Sequence, residues 1–357
     1  MPSDKLRTEK LLCAIEALEL PETRLMEVCG THTMAIAKSG LKSLLPKHVS
    51  LLSGPGCPVC VTPAEELDIC MSLCDIPELI VCSYGDMLRV PGSKRGDSLA
   101  SRRAQGADVR MVYSPMDALE IAKDNPNKRV VFLGVGFETT APGTAIAIKS
   151  ARENGRDNFL VLSLLKRVEP ALRALAADSD FAVDALLCPG HVATIVGEAG
   201  FDYVASVLGL PGVIAGFEAE DILLAVWRLL LQLERGEAKI ENMYPRAVRK
   251  EGNPLALAVT NEVFAPCGAL WRGLGWIEES ALGLRSDYAQ HDARRAFALE
   301  TPRTEAPVAC RCGDVIRGAC EPEDCPFFGK ACTPADPVGP CMVSGEGSCA
   351  ARARYGG

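Results

Sequence analysis

The chain has 357 residues, enough for two or three domains with cores of their own. Its 48% hydrophobic and 24% charged residues make a globular balance that excludes a disordered chain. The formal net charge is −8 and no long Lys/Arg run exists, so nucleic-acid binding has no electrostatic support.

The opening stretch MPSDKLRTEKLLCAIEALEL is charged and helical in pattern. It lacks the apolar core and small-residue cleavage site of a signal peptide. The longest apolar run, residues 222–233, is interrupted by Arg228 and falls short of the roughly 20 residues a bilayer span needs. A cytoplasmic protein without membrane contact is expected. In that setting sixteen cysteines signal metal or redox chemistry rather than a disulfide framework.

Through residue 240, strand-like and helix-like segments alternate. Short continuous apolar runs at 24–28, 48–53, 78–83, 129–134, 159–165, 184–189 and 212–216 read as strands buried on both faces. Amphipathic stretches follow several of them, and this βαβ rhythm predicts parallel sheets with helices on both sides. The fold class expected is α/β, with two parallel-sheet domains facing a cleft and a small Cys-rich domain. The boundaries expected are 1–115, 116–240 and 241–357, with the first break near Tyr113–Asp117. A long helix is predicted over 218–235, ending at Gly236. Beyond about 250, Gly and Pro become frequent and strands are hard to see.

Four polar loops follow predicted strands: residues 27–40, 53–67, 133–148 and 187–197. Ligands of open α/β sheets bind at that carboxyl edge. Helix N-termini there offer free N–H groups, which lower a thiol's pKa. Cys29 in the first loop is therefore expected to be partly thiolate. In the second loop Cys57 and Cys60 form a Cys-x-x-Cys, and Thr62-Pro63-Ala64-Glu65 reads as a capping box. With no second Cys-x-x-Cys to complete a zinc site, redox or metal binding is favoured over half a zinc site or two unconnected thiols. The third loop has Gly134-Val135-Gly136, but Thr139 replaces the third glycine of the dinucleotide fingerprint. Glu138 is its candidate proton carrier, against the plainer reading of a solvated carboxylate. His32 and His191, two of four histidines, share these loops and are candidate proton carriers or ligand donors. Cys13, Cys70, Cys74, Cys82 and Cys267 lie in apolar or helical surroundings and read as buried structural thiols.

Seven thiols fall between Cys310 and Cys349, with no histidine beyond His291. The choice there is an all-thiolate zinc site or an iron–sulfur cluster. Single cysteines beside Gly or Pro turns, without tight Cys-x-x-Cys knuckles, favour the cluster.

CGTHT at 29–33, GPGCPVC at 54–60, GFETTAP at 136–142, CPGHV at 188–192 and the terminal CRCGDVIRG…CPFFGKAC…GPCMVSGEGSCA resemble the signature segments of the HypD family of hydrogenase maturation factors. The resemblance covers essentially the whole chain, in order. It implies assembly of the Fe(CN)₂CO part of the nickel-iron hydrogenase site, together with a small HypC-type chaperone and a HypE-type cyanide donor. The hydrogenase large subunit would be served indirectly. It implies a [4Fe–4S] cluster held by Cys310, Cys325, Cys332 and Cys349, with Cys312 and Cys341 as a nearby redox pair and Cys320 left over. It implies a second redox pair, Cys57 and Cys60. Cys29 becomes the thiolate that helps hold the transient Fe(CN)₂CO iron, with Thr31, His32, Cys57 and Cys60 around it. His32, Glu138 and His191 would supply or orient protons. Two rival readings remain: a cluster-fed thiol–disulfide oxidoreductase, which leaves three of the loops without a job, and a zinc-stapled binding scaffold.

Overall fold

The computed structural model describes residues 2–301 and 310–356. Eleven strands are present among them: β1 (Thr23–Glu27), β2 (Val49–Ser53), β3 (Leu79–Ser83), β4 (Asp108–Met111), β5 (Arg129–Gly136), β6 (Phe159–Leu165), β7 (Ala185–Pro189), β8 (Gly212–Ala215), β9 (Ile240–Asn242), β10 (Phe264–Trp271) and β11 (Gly275–Leu284). All seven strands expected from apolar runs are there. Their residues are almost wholly buried, as runs covered by helices on both faces must be. The predicted long helix is Ala219–Glu234, and Gly236 follows it with φ 64°.

Two all-parallel sheets result. Sheet A has the order β2-β1-β7-β8-β9, and sheet B the order β4-β3-β5-β6. The chain lays down β1 and β2, leaves to build all of sheet B, then returns to pair β7 beside β1. The sheets therefore do not divide at Tyr113–Asp117. That point lies inside sheet B, on the connection from β4 to β5. Pairing of β3 with both β4 and β5 overrides sequence order.

Beyond 250, where strands are hard to see in the sequence, the structure has two. β10 and β11 form an antiparallel hairpin with a register shift between Cys267 and Ala269. The hairpin and the helix Pro254–Val263 pack on sheet B, against β6 and the helix Ala141–Glu153. The cysteine-rich segment 310–356 instead packs on sheet A's loops with helices of three to eight residues. Among the described residues no helix is long and apolar enough to cross a membrane.

Each sheet has one place where successive connections run in opposite directions. In sheet A it lies between β1 and β7, and in sheet B between β3 and β5. Side chains at those carboxyl ends border a crevice that no crossover helix fills.

Candidate functional site

Three of the four loops sit on sheet A's carboxyl edge, after β1, β2 and β7, and the fourth follows β5 in sheet B. The sheet A switch point thus brings the CGTHT loop beside CPGHV.

The two cysteine loops of sheet A are laced by backbone. Gly30 N–H donates to Gly56 O (3.0 Å), and Gly54 N–H to Glu27 O (2.7 Å). A Cβ on Gly56 would stand 2.2 Å from the Cys29 nitrogen, so only glycine lets the strands of the loop approach this closely. Cys29 is the extended N-cap residue of the helix Gly30–Ser39, and the backbone N–H groups of His32 and Thr31 reach its sulfur. Burial nevertheless dominates and pushes the thiol up to about 12. The expected partial thiolate is thus not the resting form. At 7% exposure, desolvation outweighs two N–H donors. Glu27 and Glu346 nearby also disfavour the anion.

Cys57 and Cys60 are joined in a disulfide, with Cα atoms 5.2 Å apart. The motif forms a one-turn helix of its own, Pro58–Val61, capped by Cys57. The expected capping box at Thr62 does not form. Its hydroxyl turns back to Pro58 O (2.8 Å), and the next helix, Ala64–Ser72, starts after Pro63 without a side-chain cap.

His32 is fully buried, and its Nε2–H donates to Gly216 O (2.9 Å). That bond leaves Nδ1 as a lone pair with no partner. Burial pulls its pKa down to about 4, so the ring is neutral. Phe217 lies between the two histidines, with ring centroids 4.9 Å from His32 and 3.9 Å from His191. His191 is exposed, and partial burial lowers its pKa.

Glu138 accepts from Val168 N–H (2.9 Å) through Oε1, while Oε2 is shut off from solvent without a partner. Part of the residue is exposed, but burial of the carboxyl raises its pKa to about 7. It is not the solvated carboxylate of the plainer reading. Among the described residues no hydrogen bond joins it to Cys29, Cys57 or Cys60. The connection is through packing, because the helix Pro58–Val61 lies against β5.

The C-terminal segment closes over this edge. Thr31 Oγ1 donates to Glu346 Oε1 (2.7 Å), and the helix Ser348–Tyr355 packs on Gly30–Ser39. The helices Cys312–Ile316 and Pro340–Val343 pack on Pro58–Val61. Behind them Cys310, Cys312, Cys325, Cys332, Cys341 and Cys349 line one cavity with Phe328 and Met342. Cys320 is not among its lining residues. Cys341 stands between Cys312 and Cys349, its Sγ 3.0 Å from that of Cys349, and all six thiols are free. Burial pushes Cys310 up to about 12. No three or more of the described His, Cys, Asp and Glu residues are arranged to hold a single metal ion. A cubane is ligated iron by iron, so its thiolates spread around a cavity rather than converge on a point. Six thiols around one apolar hole fit that demand.

Sequence reasoning missed three residues. Glu27 is 2% exposed, accepts from Cys29 N–H (2.9 Å) and Thr33 Oγ1, and is raised to about 8 by burial. A charged residue at the end of an apolar run was the signal for it. Glu346 showed only as an acidic residue between glycines, and Phe217 had no signal. Of the five thiols read as buried, Cys70 and Cys82 are, Cys74 is partly so, and Cys13 and Cys267 are exposed.

A family model described as HypD, "Hydrogenase formation hypA family", matches residues 7–356. The chain is 47% identical over 350 residues to the hydrogenase expression/formation protein HupD of Azotobacter chroococcum, covering 96% of this chain and 92% of that protein. It is 45% identical over 333 residues to the hydrogenase maturation factor HypD of Escherichia coli, covering 93% and 89%. A similar match, 44% over 340 residues, is to the hydrogenase maturation factor HypD2 of Bradyrhizobium diazoefficiens, again covering 93% and 89%.

Proposed function

The chain belongs to the HypD family of hydrogenase maturation factors, and from that premise we propose that it holds and reduces the iron centre built for a nickel-iron hydrogenase. The cargo is an Fe(CN)₂CO unit. The observation that carries the reading is the lacing of the Cys29 loop to the Cys57–Cys60 disulfide, with the six-thiol cavity packed against that disulfide's helix.

Cys29 is the soft anchor for low-spin Fe(II). Burial makes its thiol resist ionisation, so binding a cation there releases a proton. Three groups at or beside the crevice suit that proton: the neutral His32 with its open Nδ1, His191 at the rim, and Glu138, raised to about 7. Thr31 is already engaged by Glu346 and orients the loop. The Cys57–Cys60 disulfide takes up two electrons and two protons on becoming a dithiol, and Cys60 N–H donates to Cys57 Sγ (3.2 Å), favouring thiolate at that sulfur.

Cys310, Cys325, Cys332 and Cys349 are assigned as the holders of a [4Fe–4S] cluster, with Cys312 and Cys341 as the adjoining redox pair. Bound there, the cluster supplies single electrons at low potential. A HypC-type chaperone and a HypE-type cyanide donor are the partners in this reading, and the hydrogenase large subunit receives the product.

Infrared spectroscopy of the chain co-purified with those partners tests the assignment. Cyanide and carbonyl stretches are expected in the complex and are lost in Cys29→Ala. Full-intensity bands in Cys29→Ala would remove Cys29 as the anchor. A fully iron-loaded complex without any such bands would favour a cluster-fed thiol–disulfide oxidoreductase.

A further inference from the structure

A second surface of the cysteine-rich segment lies away from the Cys29 crevice, on the far side of the loop that carries Cys332. Two loops meet there, residues 88–98 from sheet B and 327–339 from the segment. Arg89 donates through Nη2 to Pro334 O (2.7 Å) and Ala335 O (3.2 Å), and Arg95 pairs with Asp336. A groove runs between the loops, with Pro91, Phe327, Pro337 and Val338 among its walls.

Its floor touches the thiols. Val338 N–H donates to Cys332 Sγ (3.3 Å). Gly339 lies so close that a Cβ there would stand 3.0 Å from Cys310 Sγ. Val338 lines both this groove and a second opening, where Gly339, Arg272, Cys310 and Cys312 join it. Here the backbone of Val338 and Gly339 lies directly against the thiols.

The rim is basic on a chain whose net charge is −8. Arg89, Lys94, Arg95 and Lys330 are all exposed. Among the described residues Asp336 is the one carboxylate ion-paired with any of them. Arg89 and Arg272 spend their hydrogen bonds on neutral carbonyls, of Pro334, Ala335 and Thr62, and not on carboxylates. An apolar centre within a rim of one sign is the pattern of a transient, electrostatically steered interface.

We propose that this groove docks a small acidic one-electron carrier protein, the reductant for the centre held in the thiol cavity. The proposal rests on the [4Fe–4S] reading of that cavity. Each docking event oxidises the carrier by one electron and reduces this chain by one. Two events and two protons from solvent convert the Cys57–Cys60 disulfide to two thiols, which balances the step.

The test uses the full chain, anaerobically iron–sulfur loaded, and a reduced plant-type [2Fe–2S] ferredoxin as the acidic probe. Photoreduced 5-deazariboflavin serves as a small uncharged reductant. Bleaching of the cluster absorbance gives the rates, and calorimetry with oxidised ferredoxin gives a Kd. The variant is Lys94→Glu/Lys330→Glu, neither residue having an ion pair among the described residues. At low salt the ferredoxin rate is expected to fall by about 10-fold or more, with a matching rise in Kd. The deazariboflavin rate should stay unchanged, and the wild-type ferredoxin rate should fall as salt is added. Equal ferredoxin rates and Kd values for wild type and variant would overturn the docking site alone. A chain that neither binds a cluster nor bleaches with deazariboflavin would overturn the cluster reading and the docking site together.

Discussion

The carboxyl edge of sheet A and the segment 310–356 both gather thiols, but they are held in opposite ways. At the sheet edge, parallel strands and backbone hydrogen bonds between Gly30, Gly54, Gly56 and Glu27 place Cys29, Cys57 and Cys60. In the segment no sheet is present among the described residues, and its helices have three to eight residues. Its interior is largely the thiols themselves. A site of the first kind is preorganised by its own backbone. A site of the second kind depends on what the thiols bind.

The strongest way to break this contrast is to remove the ligands of each. Cys325→Ser/Cys332→Ser, or exhaustive iron chelation, is expected to make 310–356 susceptible to limited proteolysis while far-UV circular dichroism of the sheets is retained. Cys29→Ala should leave the proteolysis pattern unchanged. A protected segment in iron-free protein would show that its own packing suffices.

The next largest effect concerns the buried carboxyl of sheet B. Glu138 is raised by burial to about 7 from 4.5, so its neutral form suits the fold. Its contribution is fully present below pH 4.5 and is lost as pH rises through about 7, where ionisation in the buried site opposes folding. Glu138→Gln removes that slope. Measured by urea unfolding, the variant should gain on the wild type by at most roughly 3 kcal/mol between pH 5 and pH 7.5. Parallel stability profiles for the two proteins would mean the carboxyl is solvated.

Gly56→Ala sharpens the claim that backbone lacing places Cys29. A methyl 2.2 Å from the Cys29 nitrogen meets backbone, which cannot swing aside. A loss of about 2–3 kcal/mol is expected in denaturant titrations. The smallest effect falls where the two regions touch. Thr31→Val deletes the hydroxyl that donates to Glu346, with an expected cost of about 1–2 kcal/mol and faster proteolysis near Glu346. An unchanged variant would mean that Glu346 stays in place through the helix Ser348–Tyr355 alone.

Much of the framework is legible in local sequence. Short apolar runs such as FLVLSLL at 159–165 carry a local signal, since a strand covered on both faces tolerates no polar alternation. β4, β9 and the β10–β11 hairpin lack it. DVRM is a charged edge strand, IEN is three residues long, and the hairpin carries Gly, Pro and a register shift. The thiol content of the tail is likewise plain, but the packing of its helices on Pro58–Val61 is not.

The sequence by itself determined the strands of the two sheets' interiors and the four loops at their ends, because apolar runs and Gly/Cys-rich turns act over a few residues. It also determined the family, through motifs that recur in order over the chain. Only the tertiary structure decided which strands share a sheet, since Met26 beside Leu186 joins residues far apart in the chain. That pairing sets the CGTHT and CPGHV loops around Phe217. The same long-range burial turned the expected Cys29 thiolate into a resting thiol, left Nδ1 of His32 open, and brought Glu346 to Thr31. Desolvation and contact depend on neighbours that no short window of sequence contains.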